Sequence, residues 1–220
     1  MFIECIYYME FDYINKKYNT EYTNALFSHK HIFYEIYKEC NFEFLQGCGS
    51  YLFDGKSYSY CDLMYEKQEL LYNQVKTASK VLEIGTYMGH SLLIMLISNP
   101  NVKITCIDID NKYTQPAVNI LNKYFNNAIT FIHKDSLSAL QQIKDTFDFF
   151  HIDGHHENNY IENEFKLIEP LRDKSTIFRI LFDDQNCLVK LQTDIDRKYT
   201  VIKKIIPKCN WNNIYYEISL

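Results

Sequence analysis

Glycine and proline are scarce, at six and four residues in a chain of 220. Hydrophobic residues make up 47% and charged residues 23%, the balance of an ordinary packed domain, which excludes intrinsic disorder and a fibrous repeat. No CxxC pair occurs among the seven cysteines Cys5, Cys40, Cys48, Cys61, Cys106, Cys187 and Cys209. A disulfide framework and a thiolate zinc site are therefore not indicated, and reduced thiols are expected. No apolar run approaches the ~20 residues that span a bilayer; the densest is Leu92 to Ile97. Nor is positive charge in excess: Lys+Arg is 23 against Asp+Glu 28, a net charge of -5 with a pI near 5.8. That balance argues against nucleic acid as the main partner. The expectation is a cytoplasmic protein without signal or membrane segment, with a homo-oligomer left open. Its length suits one domain, or one with a modest appendage.

From residue 79 onward, short β-branched runs alternate with helix-patterned segments, the sequence form of repeated βα units. Strands are predicted at 80–84, 103–107, 129–133, 147–152, 175–182, 200–206 and 214–219, with helices at 89–98, 116–125, 136–144, 158–171 and 188–198. The turn at 207–213 is short enough for a closing antiparallel hairpin. The expected architecture is α/β: a mostly parallel seven-stranded sheet with an antiparallel last strand. Residues 1–78 read differently, Tyr- and Phe-rich and helix-patterned near 25–40 and 61–77. Their helices are too few to bury a separate core, so they are expected to form an N-terminal helical cap, with residues 79–220 as the ligand-binding domain.

Val81 to Ser91 reads as a strand, a turn holding Gly85 and Gly89, and an apolar helix. Ligands of such sheets sit beyond the carboxyl ends of the strands, where glycine admits close backbone approach and a helix start offers free N–H groups. The spacing is GxxxG, not the GxGxxG of dinucleotide binders or the lysine-bearing P-loop. The second strand ends on Asp108, about 20 residues on, where a carboxylate can hold ribose hydroxyls. The stretch resembles the first motif of class I S-adenosylmethionine-dependent methyltransferases. That resemblance implies a Rossmann-like doubly wound fold and S-adenosylmethionine as cofactor. It also implies that Glu83, Gly85 and Gly89 face the methionine end of that cofactor, with Ser91 at the same turn. Asp108 would face the ribose, and Asp135 with Ser136 would stand at the adenine-contacting position.

The segment 147–156 delivers Asp153 to a strand end, followed by Gly154, His155 and His156. The next strand ends in Asp183 and Asp184. Adjacent parallel strands lie ~4.8 Å apart, so these carboxylates can converge beside the proposed methyl donor. A hard divalent cation such as Mg²⁺ is the simplest neutraliser, with open positions for a substrate hydroxyl. Here the sequence resembles the metal-dependent sugar O-methyltransferases of macrocin, mycinamicin and aminocoumarin type. Their pattern implies Asp153, Asp183 and Asp184 as metal ligands, Asp153 also lying against the cofactor, and His156 or His155 as general base. A small-molecule acceptor, such as a sugar, is expected to be chosen by the loop at 46–59, where Tyr51, Phe53 and Tyr58 fit a sugar-stacking surface. His151 alternates inward and is expected to pack in the core; His90, in the glycine turn, stays ambiguous.

Two other readings compete. A methyltransferase-like scaffold would keep the donor pocket without turnover, and the HxDxHH run faintly resembles metallo-hydrolases. The Pro-Gly-Gly turn common before the fifth strand of methyltransferases is replaced by Leu171 to Ser175, which leaves the register of Asp183 open.

Overall fold

A computed structural model describes residues 11–183, 185–209 and 213–219. Seven strands form one sheet: β1 Lys80–Ile84, β2 Lys103–Asp108, β3 Ile129–His133, β4 Phe149–Ile152, β5 Phe178–Phe182, β6 Thr200–Ile205 and β7 Ile214–Ser219. Their order is β3-β2-β1-β4-β5-β7-β6. The first five are parallel, and β7 runs antiparallel between β5 and β6. Chain order reverses between β1 and β4, so both strands end at the crevice where such sheets bind ligands.

The helices are α1 Glu21–Glu39, α2 Tyr65–Val75, α3 His90–Ser98, α4 Asn111–Tyr124, α5 Ser136–Leu140, α6 Asn158–Ile168 and α7 Val189–Lys198; residues 11–18 are also helical. α3 is buried from His90 through Ile97. A helix apolar on every side needs cover on every side, and α1 and α2 supply it by packing across α3 while the sheet lies beneath. The first residues thus share one continuous core with the sheet, running from Phe33 and Leu71 through Leu93 to Phe149 and Tyr215. A second core fills the opposite face, from Ile84 and Phe150 to Phe165 and Ile195.

Several boundaries differ from the sequence reading. α4 starts at Asn111, five residues before the predicted 116. Asp110 caps it by accepting from the Lys112 amide, and Pro116 is carried inside the helix. β5 begins at Phe178 rather than 175 because residues 173–176 form a turn closed on Asp173. The register of its end is nonetheless firm: Phe182 pairs with Ile152, and the Asp183 amide donates to Ile152 at 2.8 Å.

Candidate functional site

The sheet ladder continues one residue past several strand ends. Gly85 donates to the Ile107 carbonyl at 2.9 Å, Asp153 to Ile84 at 2.7 Å and Lys134 to Asp108 at 3.0 Å. Residues 85, 108, 134, 153 and 183 therefore share one edge. All of these but Asp183 border a cavity of about 520 Å³ whose wall includes Gly85, Ser91, Asp108, Asp135, Ser136, Asp153, His155 and His156. A loop from the first 78 residues closes one side with Leu45, Cys48, Gly49, Ser50 and Tyr51.

The glycine turn is built for close packing. Gly85 has φ +79°, and a Cβ there would lie 2.1 Å from the Asp153 carbonyl oxygen, so no side chain fits. Gly89, at φ +68°, starts α3. Asp108 holds the turn from below: its Oδ2 accepts from the Thr86 and Tyr87 amides, each at 2.8 Å, and its Oδ1 from the Asp110 amide at 2.9 Å. A carboxylate has about four acceptor positions, so at least one remains for a ligand hydroxyl.

Glu83 is fully buried and does not line the cavity. It accepts from Thr86 Oγ1 at 2.8 Å and Ser91 Oγ at 2.5 Å, and pairs with His151 Nδ1 at 2.9 Å. The expected contact with the methionine end is thus replaced by bracing of the turn. Gly89 likewise stands behind the wall, against Ala117 and Leu121. His151 packs inside as expected, its Nε2 2.8 Å from the Tyr51 hydroxyl. His90 bridges Ser50 and Tyr58, and burial drives its pKa down to about 3, so it joins cap to sheet as a neutral ring.

At the other end of the cavity, Asp135 accepts from the Ser138 amide and the Tyr160 hydroxyl, which hold its carboxyl below the usual range. His155 stacks on Tyr160 with ring centres 4.5 Å apart, and its Nδ1 accepts from the Glu157 amide at 3.2 Å. That bond uses the lone pair a base would need and puts the proton of the neutral ring on Nε2. His156, the other candidate base, also lines the cavity.

The Asp pair has a different setting from the expected one. Asp183 is buried and lies 2.5 Å from the Lys67 ammonium, while the Tyr51 hydroxyl donates to its other oxygen at 3.4 Å. Lys67 therefore supplies the positive charge that the sequence reading assigned to a metal. Among the described residues, no group of three or more His, Cys, Asp or Glu is gathered as for a metal ion. Asp183 so paired does not fit the expected Mg²⁺ site, and Asp184 lies outside the described residues.

Residues 82–185 match the methyltransferase-domain family. Caffeoyl-CoA O-methyltransferase from Stellaria longipes is 30% identical over 114 residues, 47% of each chain. The chain spans less than half the length of the curated relatives it matches. The solved O-methyltransferase from Bacillus cereus in complex with SAH is 18% identical, with a TM-score of 0.56 over 70% of this chain and 80% of that one. The sheet has the class I methyltransferase fold. A solved structure from Klebsiella pneumoniae, 14% identical with a TM-score of 0.65, covers 99% of this chain and 100% of its own, so the likeness of fold takes in α1 and α2.

S-adenosylmethionine fits this methyltransferase fold on one observation: a buried carboxyl oxygen of Glu164, on the cavity wall, has no partner. Gly85, Ser91, Asp108, Asp135, Ser136 and Asp153 line the cavity and could hold it. Glu164 was missed by the sequence reading, although a signal existed. It occupies the buried stripe of α6 with Ile161, Phe165 and Ile168, where a carboxylate is out of place. Lys67 was missed in the same way, buried on α2 beside Leu70 and Leu71.

Burial pushes the Glu164 pKa up to about 7 from 4.5. The folded chain keeps this proton over an interval in which the unfolded chain has lost it. Stability contributed by the group is thus whole below pH 4.5, falls as pH rises to about 7, and is flat above. Glu164→Gln is therefore expected to be more stable than wild type at pH 8 by about 2–3 kcal/mol, with no gain at pH 4.5. Urea unfolding at the two pH values checks this.

Proposed function

We propose that the chain is an S-adenosylmethionine-dependent O-methyltransferase acting on a hydroxyl of a small molecule. One observation carries the reading: the glycine turn, Asp108, the Asp135–Ser136 turn and His156, contributed by successive strand ends, border a single cavity. When bound, the cofactor supplies a sulfonium methyl, which passes to the acceptor oxygen and leaves the neutral thioether. The backbone at Gly85 and the carboxylate of Asp108 orient the donor. His156 takes the hydroxyl proton, a task suited to imidazole because its ordinary titration lies near neutrality.

The Lys67–Asp183 pair supports proton removal by His156 without a divalent cation, because Asp183 is already neutralised. For the acceptor, Phe53 and Tyr58 are core residues packed among Phe33, Tyr37 and Phe44 and do not offer the sugar-stacking surface expected of them. The cap-loop wall, including Leu45, Cys48 and Gly49, suits a flat apolar ring, and one relative is named for caffeoyl-CoA as its acceptor. A phenolic hydroxyl is accordingly placed ahead of a sugar. A metallo-hydrolase reading has no gathered ligand set among the described residues, and a scaffold reading would leave His156 without a task.

The test is transfer of labelled methyl to panels of catechols, hydroxycinnamates and sugars, with and without chelator. Transfer to a phenol that survives chelator is expected. Donor binding without transfer to any acceptor would favour the scaffold, and absence of donor binding would sink the reading. His156→Ala should lower kcat by about 10²–10⁴ while calorimetric donor affinity stays within about twofold. His155→Ala should lower kcat far less.

A further inference from the structure

We propose that the Glu164 carboxyl reads the amino edge of the donor's nucleobase, selecting a 6-aminopurine over the 6-oxo form. The inference rests on the cavity being the donor site. Glu164 is fully buried and lines that cavity. Its Oε1 accepts from Ser136 Oγ at 2.5 Å, whereas Oε2 has no hydrogen-bond partner. Buried polar atoms are nearly always satisfied. Here the protein leaves one unpartnered in a residue of the cavity wall, bonded to Ser136 through its other oxygen.

The chemistry of the open position narrows what it takes. Because Ser136 donates to Oε1, a neutral carboxyl presents an O–H donor at Oε2 and a remaining lone pair on Oε1. The 6-aminopurine edge offers a ring-nitrogen acceptor at N1 next to an amino donor at N6, which complements both. A 6-oxopurine carries a proton on N1 and an acceptor at C6, so each position meets its like. The raised pKa of Glu164, caused mainly by burial and secondarily by the charge of Asp135, keeps the neutral form available near neutrality. The titratable groups facing it are Asp135 from the turn before α5 and Tyr160 from its own helix. His155, stacked on Tyr160, and Asp153 and His156 across the cavity complete the set.

The experiment is titration calorimetry of the full chain with S-adenosylhomocysteine and with its deaminated 6-oxo analogue. Wild type should prefer the amino form by about 10–100-fold. Glu164→Leu should lose a similar factor in S-adenosylhomocysteine affinity and show almost no preference. Glu164→Gln, whose amide also pairs one donor with one acceptor, should keep the preference. Affinity of wild type should weaken above pH 7 while that of Glu164→Gln stays level, a comparison that cancels the other titrating groups. A preference in Glu164→Leu equal to wild type, or the same pH profile in wild type and Glu164→Gln, overturns the assignment. Wild type that binds neither ligand overturns the donor reading itself, so the two failures are told apart by wild type alone.

Discussion

Lys67→Met is expected to destabilise the fold by about 3–5 kcal/mol, because it leaves the Asp183 carboxylate buried and without its cation. The size of the effect comes from the missing partner more than from the worth of the pair. Taking two charges out of water is unfavourable, and an ion pair in a dry interior offsets that penalty only when geometry is close and other lone pairs are filled. Here the ammonium lies 2.5 Å from Oδ2 and 4.5 Å from the Tyr51 ring centre, and Tyr51 also donates to Oδ1. Removing the charge on both sides, in Lys67→Met/Asp183→Asn, should restore at least half of the loss. Denaturant unfolding of the two singles and the double gives the coupling directly. A Lys67→Met protein within about 1 kcal/mol of wild type would mean that Asp183 is not a buried, Lys-paired carboxylate. The same pair makes a chemical forecast: if a divalent cation proves essential for turnover, Lys67 must leave Asp183 during catalysis, and the metal-free reading fails.

Gly85→Ala should be the most damaging single substitution at the donor cradle. The added methyl would meet the carbonyl oxygen of Asp153 at 2.1 Å and its carbon at 2.5 Å, in a backbone with φ +79°. Both obstacles are main chain, held by the Asp153 amide bond to Ile84 and the Gly85 amide bond to Ile107, so neither yields without parting strand ends. A loss of more than about 3 kcal/mol is expected, together with loss of S-adenosylhomocysteine binding by calorimetry. Gly89→Ala serves as the contrast. Its φ of +68° is also unfavourable, but its Cβ would meet side chains, Ala117 Cβ at 3.1 Å and Leu121 Cδ1 at 3.3 Å. Side chains shift more easily, so a loss of about 1–2 kcal/mol with binding retained is expected. Equal effects at the two glycines would remove the argument that the cradle at Gly85 is set by main-chain contact.

Much of this site is legible in the chain because the relevant signals are local. A strand, two glycines and an apolar helix define the turn at 81–91 whatever surrounds it, and period-two burial carries Asp108 and Asp153 to strand ends. The cap loop is where local reading fails. Phe53 and Tyr58 look like a displayed aromatic surface, yet they lie in the core, because α1 and α2 fold back over α3 and enclose them; Tyr51, also buried, borders the cavity. Aromatic residues carry no label that separates a stacking platform from packing material.

What the order of residues determined alone is the α/β class, the glycine turn and the delivery of Asp108 and Asp153 to strand ends, all consequences of periodicity and glycine placement; the reversal of chain order between β1 and β4 belongs to the folded sheet. The tertiary arrangement alone decided which charges meet. Lys67 reaches Asp183 across 116 positions of chain, Glu83 turns inward to His151 rather than outward to a ligand, and Glu164 is stranded on the cavity wall with one buried oxygen unpartnered. Ion pairing and desolvation depend on distance in space, which separation along a chain does not encode.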